Sequence, residues 1–267
     1  VPAKTTSFRQ WAMDLEHLVR TPRVLDSAEA WLRLPRHEVA PPPADRRADR
    51  RHNTNGSAAA VEVTLSAEDT RRLLDGGTHP EQAIVTALAA RLASWTTSPT
   101  VLIDVLGHGR DAASDVANLS RTVGFTLSYN PLVLTHPAWA PTPEVLADVA
   151  AQIAASPEGF TFELLRFLAP DRTLRARLDE FPRAELLFNY AGMDEQRRPD
   201  VLWRKVSQPT GREESPRGVR QYPIAVGAML TPSLHLSVVY STELHERATI
   251  EAWATELKVC IHGLVAG

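Results

Sequence analysis

Residues able to do chemistry are few and scattered in this chain. Its nine histidines stand at positions 17, 37, 52, 79, 108, 136, 235, 245 and 262. A histidine acting as general base needs its imidazole oriented, commonly by an aspartate four residues on. None of the nine has that spacing; His108 comes nearest, with Asp111 three residues later and glycines on both sides. No two histidines have the His-x-x-x-His spacing of a helical chelate, and the lone Cys260 excludes a thiolate cluster, so no metal site is expected. The phosphate-cradling patterns GxxxxGK[ST] and GxGxxG are absent, as is the GxSxG turn that exposes a nucleophilic serine.

Three dense polar clusters remain. The first runs Asp104-Val105-Leu106-Gly107-His108-Gly109-Arg110-Asp111, the second Arg121-Thr122-Val123-Gly124, the third Phe188-Asn189-Tyr190-Ala191-Gly192. Each follows or opens an apolar run, where a side chain can face a cleft. Each also has an ordinary structural explanation: a tight turn with a hydrogen-bonded histidine, an ion pair, a strand-end cap. The residues alone leave both open.

The elements that would position these clusters are mixed. Phe8 to Leu34 predicts two short amphipathic helices separated at Pro22. Pro35 to Ser57, with three consecutive prolines and an arginine-rich run, has almost nothing to bury and predicts a solvated linker. Val61, Val63 and Leu65 alternate as in a strand, after which Ser66 caps a helix through Leu74. Gln82 to Trp95 predicts a strong helix and Val101 to Leu106 a buried strand; Thr122 to Leu134 reads as a pair of strands. Helices are expected over Pro143 to Ala155 and Phe160 to Leu168, and a strand over Glu185 to Tyr190. Two more strands flank the turn Thr231-Pro232-Ser233, and a last helix runs from Glu246 to Leu264. Strands alternating with helices imply an α/β domain, a sheet covered by helices.

Bulk properties narrow the function classes. With 43% hydrophobic and 23% charged residues in 267, a sizeable core is expected. A formal charge of −3 gives no basic surface for nucleic acid, and no apolar stretch reaches the roughly 20 residues of a spanning helix. One cysteine rules out an intrachain disulfide and suits the cytoplasm; Cys260, in an apolar helical stretch, reads as a structural thiol.

The clusters resemble, in order, the motifs of epimerization domains in the condensation superfamily of nonribosomal peptide synthetases. Gly107-His108-Gly109-Arg110 with Leu119-Ser120-Arg121-Thr122-Val123-Gly124-Phe125 is similar to that family's EGHGRE…LSRTVGWF signature. Phe188-Asn189-Tyr190-Ala191-Gly192 resembles its FNYLGQ motif, and Ser7-Phe8-Arg9-Gln10-Trp11-Ala12 the helix that follows its active-site histidine motif. The resemblance implies a chloramphenicol-acetyltransferase-like lobe with a mixed, mostly antiparallel sheet flanked by helices, the second of two lobes. It implies three parts: residues 1–34 following the lobe that carries the His-His-x-x-x-Asp-Gly motif, a flexible linker at 35–57, and the condensation/epimerization-like lobe at 58–267.

By resemblance, Tyr190 and His108 are the candidate catalytic residues, and Leu106, Gly107, Arg110, Arg121 and Asn189 line the substrate tunnel. No cofactor is expected to bind directly; phosphopantetheine would arrive on a peptidyl carrier protein. An N-terminal partner lobe or a second copy of the chain is the other expected partner. One departure matters: Leu106 stands where the family motif has glutamate, and leucine carries no proton. The resemblance therefore implies a lobe that does not epimerize, or one half of a two-part condensation-type enzyme for carrier-bound aminoacyl thioesters.

Overall fold

The computed structural model describes residues 3–76, 79–110, 117–136, 138–193, 208, 211 and 214–266. Six strands form one sheet: β1 (Ala58–Thr64), β2 (Thr100–Gly107), β3 (Ser128–Thr135), β4 (Leu186–Met193), β5 (Ile224–Leu230) and β6 (Leu234–Ser241), in the order β1-β6-β5-β4-β2-β3. The β2–β4 and β4–β5 pairings are parallel and the other three antiparallel, giving the mixed, mostly antiparallel sheet expected.

Side-chain alternation assigns the two faces. On β6, Leu234, Leu236, Val238 and Tyr240 are buried, and on β5 Ile224, Val226, Ala228 and Leu230 face the same way. Over them lie α4 (Ala67–Asp75), α5 (Pro80–Thr96), α6 (Pro143–Ala155) and α9 (Arg247–Ala266). Helix α5 is buried on almost every side, from Ala83 through Ala90, so small alanines let its neighbours approach. Ser66 caps α4 as predicted, its Oγ accepting from the Asp69 N–H at 3.0 Å. Cys260 is half-buried, with burial raising its thiol above the ordinary range.

The opposite face is covered only in part. There α7 (Phe160–Leu168) packs over β3, and α8 (Arg172–Asp179) packs on α7. Helices α1 (Phe8–Leu18), α2 (Pro22–Leu25) and α3 (Ser27–Arg33) join them through Trp11, Leu18, Val24 and Trp31. The N-terminal stretch thus forms three helices rather than two: Pro22 starts α2 as a first-turn proline, and the segment after it breaks again at Asp26, between α2 and α3. Helix α8 has little signature in the sequence: its apolar signal is hardly more than Leu174 and Leu178, and the Asp171 cap on the Thr173 N–H starts it.

One further expectation is corrected. Of the predicted strand pair over Thr122–Leu134, only β3 is a strand; residues 119–127 form a loop. Their carbonyls serve a side chain instead of a ladder, with Arg110 Nη1 donating to Leu119 O at 2.6 Å and Thr122 O at 2.9 Å. Residues 35–57, expected as a flexible linker, make polar contacts with distant parts of the chain. Arg46 N–H donates to Leu244 O at 3.1 Å, Arg50 pairs with Glu185, and buried Asn53 donates Nδ2–H to Arg220 O at 3.0 Å. Among the described residues no helix is long and apolar enough to cross a membrane.

Candidate functional site

Strands β2 and β4 run parallel and end side by side, and beyond their carboxyl ends lies a cavity of about 590 Å³. Crevices at the carboxyl ends of parallel strands recur as ligand sites. Leu106, Gly107 and His108 enter this cavity from β2, and Asn189 and Tyr190 from β4. Glu81 comes from the first turn of α5, Ser128 and Asn130 from β3, and Gly159 and Phe160 from the start of α7. Five of the seven residues marked in the sequence therefore meet.

Glycine shapes the wall where side chains would close it. Gly109 has φ +66°, and a Cβ there would stand 1.7 Å from Thr126 O. A Cβ on Gly159 would stand 2.4 Å from Asn130 Cβ. Asn130 Oδ1 is buried with no hydrogen-bond partner among the described residues.

His108 is exposed at the rim. Its Nδ1 accepts the Arg110 N–H at 3.1 Å, which leaves the proton of a neutral ring on Nε2, and Thr126 Oγ1 donates to its carbonyl at 2.9 Å. Tyr190 is half-buried, its ring edge-on to His79 with centroids 6.0 Å apart. Burial first, and then the Glu81 charge, push its phenol above the ordinary value. Burial likewise raises the Glu81 carboxyl, opposed by His79, whose Nδ1 lies 4.0 Å from Glu81 Oε2.

Arg110 and Arg121, expected on the tunnel wall, do not line the cavity. The Arg110 guanidinium is used by the carbonyls of the 119–127 loop. Arg121 is exposed and its Nη1 reaches Ala3 O at 3.4 Å. Asp111 lies outside the described residues. Sequence reasoning missed Glu81, Ser128 and Asn130. No local motif marks Glu81, since only the packing of α5 against the sheet brings it to the strand ends. Among the described residues no cluster of His, Cys, Asp or Glu has the arrangement of a metal site.

A mixed sheet with its helices mainly on one face and a cavity at the ends of β2 and β4 defines a chloramphenicol-acetyltransferase-like lobe. The chain belongs to the condensation domain family, which matches residues 1–267. It is 33% identical over 272 residues to a subunit of linear gramicidin synthase from Brevibacillus parabrevis, covering 99% of this chain and 4% of that protein. Surfactin synthase subunit 2 of Bacillus subtilis is 29% identical, with 94% and 7% covered. Among solved structures, the epimerization domain from the third module of tyrocidine synthetase B superimposes with a TM-score of 0.88 at 25% identity, covering all of this chain and 60% of that one. The X-domain from teicoplanin biosynthesis shares the fold, with a TM-score of 0.70 at 17% identity over 97% of this chain and 59% of its own. This chain is thus a condensation-type domain of the nonribosomal peptide synthetase kind, spanning a small fraction of the synthetases it resembles.

Proposed function

We propose that this domain handles an acyl group presented as a thioester on the phosphopantetheine of a peptidyl carrier protein, and does not epimerize it. The observation that carries this reading is the wall of the strand-end cavity. Inverting an α-carbon takes a proton off one face and returns one to the other, so two groups of workable pKa must flank it. The position where related domains carry the motif glutamate holds Leu106, which lines the cavity and whose side chain has no proton to give. Arg110 and Arg121 stand back from it. Tyr190 and Asn189 offer hydrogen bonds to a thioester carbonyl, and a phenol pushed upward by burial stays protonated as a donor near neutral pH. His108 at the rim offers a further contact to the incoming arm. In this reading the domain acts as a carrier-docking lobe in the cytoplasm.

A second reading has a specific observation in its favour. The chain covers 60% of the solved epimerization domain, so the whole superimposes on one part of a larger domain. It would then be half of a two-part condensation-type site, completed by an N-terminal partner lobe or a second copy, for which the residue at 106 is not the base.

The test is to incubate the chain with aminoacyl-loaded carrier protein in deuterated water, following α-proton exchange by mass spectrometry and carrier binding in parallel. Binding without exchange is expected. Exchange at a rate above the carrier alone would overturn the role given to Leu106. Amide-bond formation on adding an acceptor-loaded carrier would favour the second reading.

A further inference from the structure

A second hollow, about 560 Å³, opens on the partly covered face of the sheet, between β2, β3, α7 and the segments around residues 36–53 and 219–223. Five arginines line it. Arg50 and Arg166 are neutralised by Glu185 and by Asp179, the latter at 2.7 Å. Arg36, Arg183 and Arg220 form no close ion pair among the described residues; Arg220 Nη1 donates to Asn53 Oδ1 at 3.3 Å, and the Glu214 charge also acts on Arg220.

Arg36 is the unusual member. It is 4% exposed, its guanidinium lies 4.6 Å from the Phe162 ring centroid and 4.7 Å from that of Phe181, and its Nη2 donates to Pro182 O at 3.2 Å. Its Nε and Nη1 are buried with no hydrogen-bond partner among the described residues. A cation so placed has lost most of its water and is stable only with opposite charge nearby. Burial pushes Arg36 down to about 10.

The cleft's own carboxyls are each hydrogen-bonded elsewhere, and Asp104 offsets only part of the cost of burying Arg36. Asp104 Oδ2 accepts the Tyr222 hydroxyl at 2.6 Å, and Glu163 Oε2 accepts the Tyr129 N–H at 3.1 Å. Burial pushes both carboxyls upward, opposed at Asp104 by the Tyr222 hydrogen bond and by the Arg36 and Arg166 charges. Tyr129, stacked on Tyr222 with centroids 6.0 Å apart, supplies a flat wall beside the arginines.

We propose that this cleft is a binding site for an organic phosphate, the phosphate taken by Arg36, Arg183 and Arg220 and the body of the molecule resting against Tyr129. Guanidinium forks match phosphate oxygens with paired N–H donors, and a cleft of this volume holds a molecule of nucleotide size. The site is separate from the strand-end cavity, so carrier binding can fail while phosphate binding succeeds, and the reverse.

Isothermal titration calorimetry with AMP and with pantetheine 4′-phosphate tests it, against adenosine and pantetheine as phosphate-free partners. At least one phosphate is expected to bind with a Kd on the order of 10–500 μM, about tenfold or more tighter than its phosphate-free partner. A preference for AMP assigns a free nucleotide, and a preference for pantetheine 4′-phosphate assigns the carrier arm. Exposed Arg183→Ser, which makes no described contact, is expected to keep the fold and weaken binding about tenfold. Arg36→Met keeps the stem between the two rings and is expected to abolish binding; circular dichroism checks its folding, and Arg220→Gln serves if it does not fold. Equal binding of phosphate and phosphate-free partners, or unchanged binding by Arg183→Ser, would overturn the proposal.

Discussion

The two hollows are nearly equal in size, yet their walls differ in kind, although β2, β3 and α7 feed both. Asp104 and Leu106 lie two residues apart on the same face of β2, and Asp104 lines the arginine cleft while Leu106 lines the strand-end cavity. Two residues along a strand is about 7 Å, far enough that the Asp104 carboxyl, bound to Tyr222, does not stand in for a glutamate at 106. The cavity at the strand ends is shaped by glycine and supplied with hydrogen-bonding groups, Glu81 being its one carboxyl among the described lining residues. The cleft is crowded with arginine. One strand thus places an acid in the arginine cleft and an apolar residue at the strand-end cavity.

The largest expected effect comes from removing what the two hollows share. Phe188 on β4 is fully buried in the main core of the sheet, one residue before Asn189. Phe188→Ala should cost about 3–5 kcal/mol, read as a lower urea midpoint, and should degrade both hollows together. Loss of one with the other intact would show that they rest on separable frameworks.

A smaller effect separates them. Tyr222→Phe removes the hydroxyl donated to Asp104 and leaves a half-buried carboxyl short of a partner, at an expected cost of about 1–3 kcal/mol. Burial raises the Asp104 carboxyl, opposed by the Tyr222 hydrogen bond and by Arg36 and Arg166. The folded state therefore binds this proton more tightly than the unfolded one. Stability from this group is greatest at low pH and falls as pH rises from the ordinary carboxylate value, about 4, through the raised folded one. Without the Tyr222 hydroxyl the folded pKa moves higher, so the fall should extend further up the pH scale; Asp104→Asn should remove this contribution. Urea denaturation across that range is the measurement. A Tyr222→Phe profile parallel to wild type would break the link between the tyrosine and the acid.

The contrast also explains how much of the molecule is legible in its sequence. Strands with one buried face declare themselves by alternation, as in Leu234, Leu236 and Val238, and Ser66 marks its helix by the spacing of its cap. The strand-end cavity is half legible, because Leu106, Gly107, His108, Asn189 and Tyr190 sit at the ends of two apolar runs. Glu81 and Asn130 are not, because each arrives from another element. The arginine cleft leaves no local trace at all. Arg36 and Arg220 are 184 residues apart in a chain whose Pro35–Ser57 stretch looks solvated, since hydrogen bonds to distant carbonyls leave no hydrophobic pattern. Arg110 and Arg121 mislead for the converse reason: charge beside a motif suggests a ligand, but backbone carbonyls claim Arg110 first.

The smallest expected effect sharpens the strand-end cavity alone. Tyr190 and Glu81 come from β4 and α5, and the phenol is raised mainly by burial and then by the carboxylate across the wall. Glu81→Gln keeps the shape and removes the charge, so the Tyr190 phenol should move down toward the ordinary value of about 10 but stop above it, because burial remains. Tyrosine ring carbon signals followed by NMR through an alkaline titration would show this, with Tyr190→Phe identifying the resonance among the four tyrosines. Global stability should change by no more than about 0.5 kcal/mol, since the half-buried carboxyl makes no described hydrogen bond that glutamine would lose. A Tyr190 titration unmoved by Glu81→Gln would mean that the two groups do not share one dry space. The cavity would then be two shallow surfaces, and the hydrogen-bond donor assigned to the thioester carbonyl would have to be sought elsewhere on the wall.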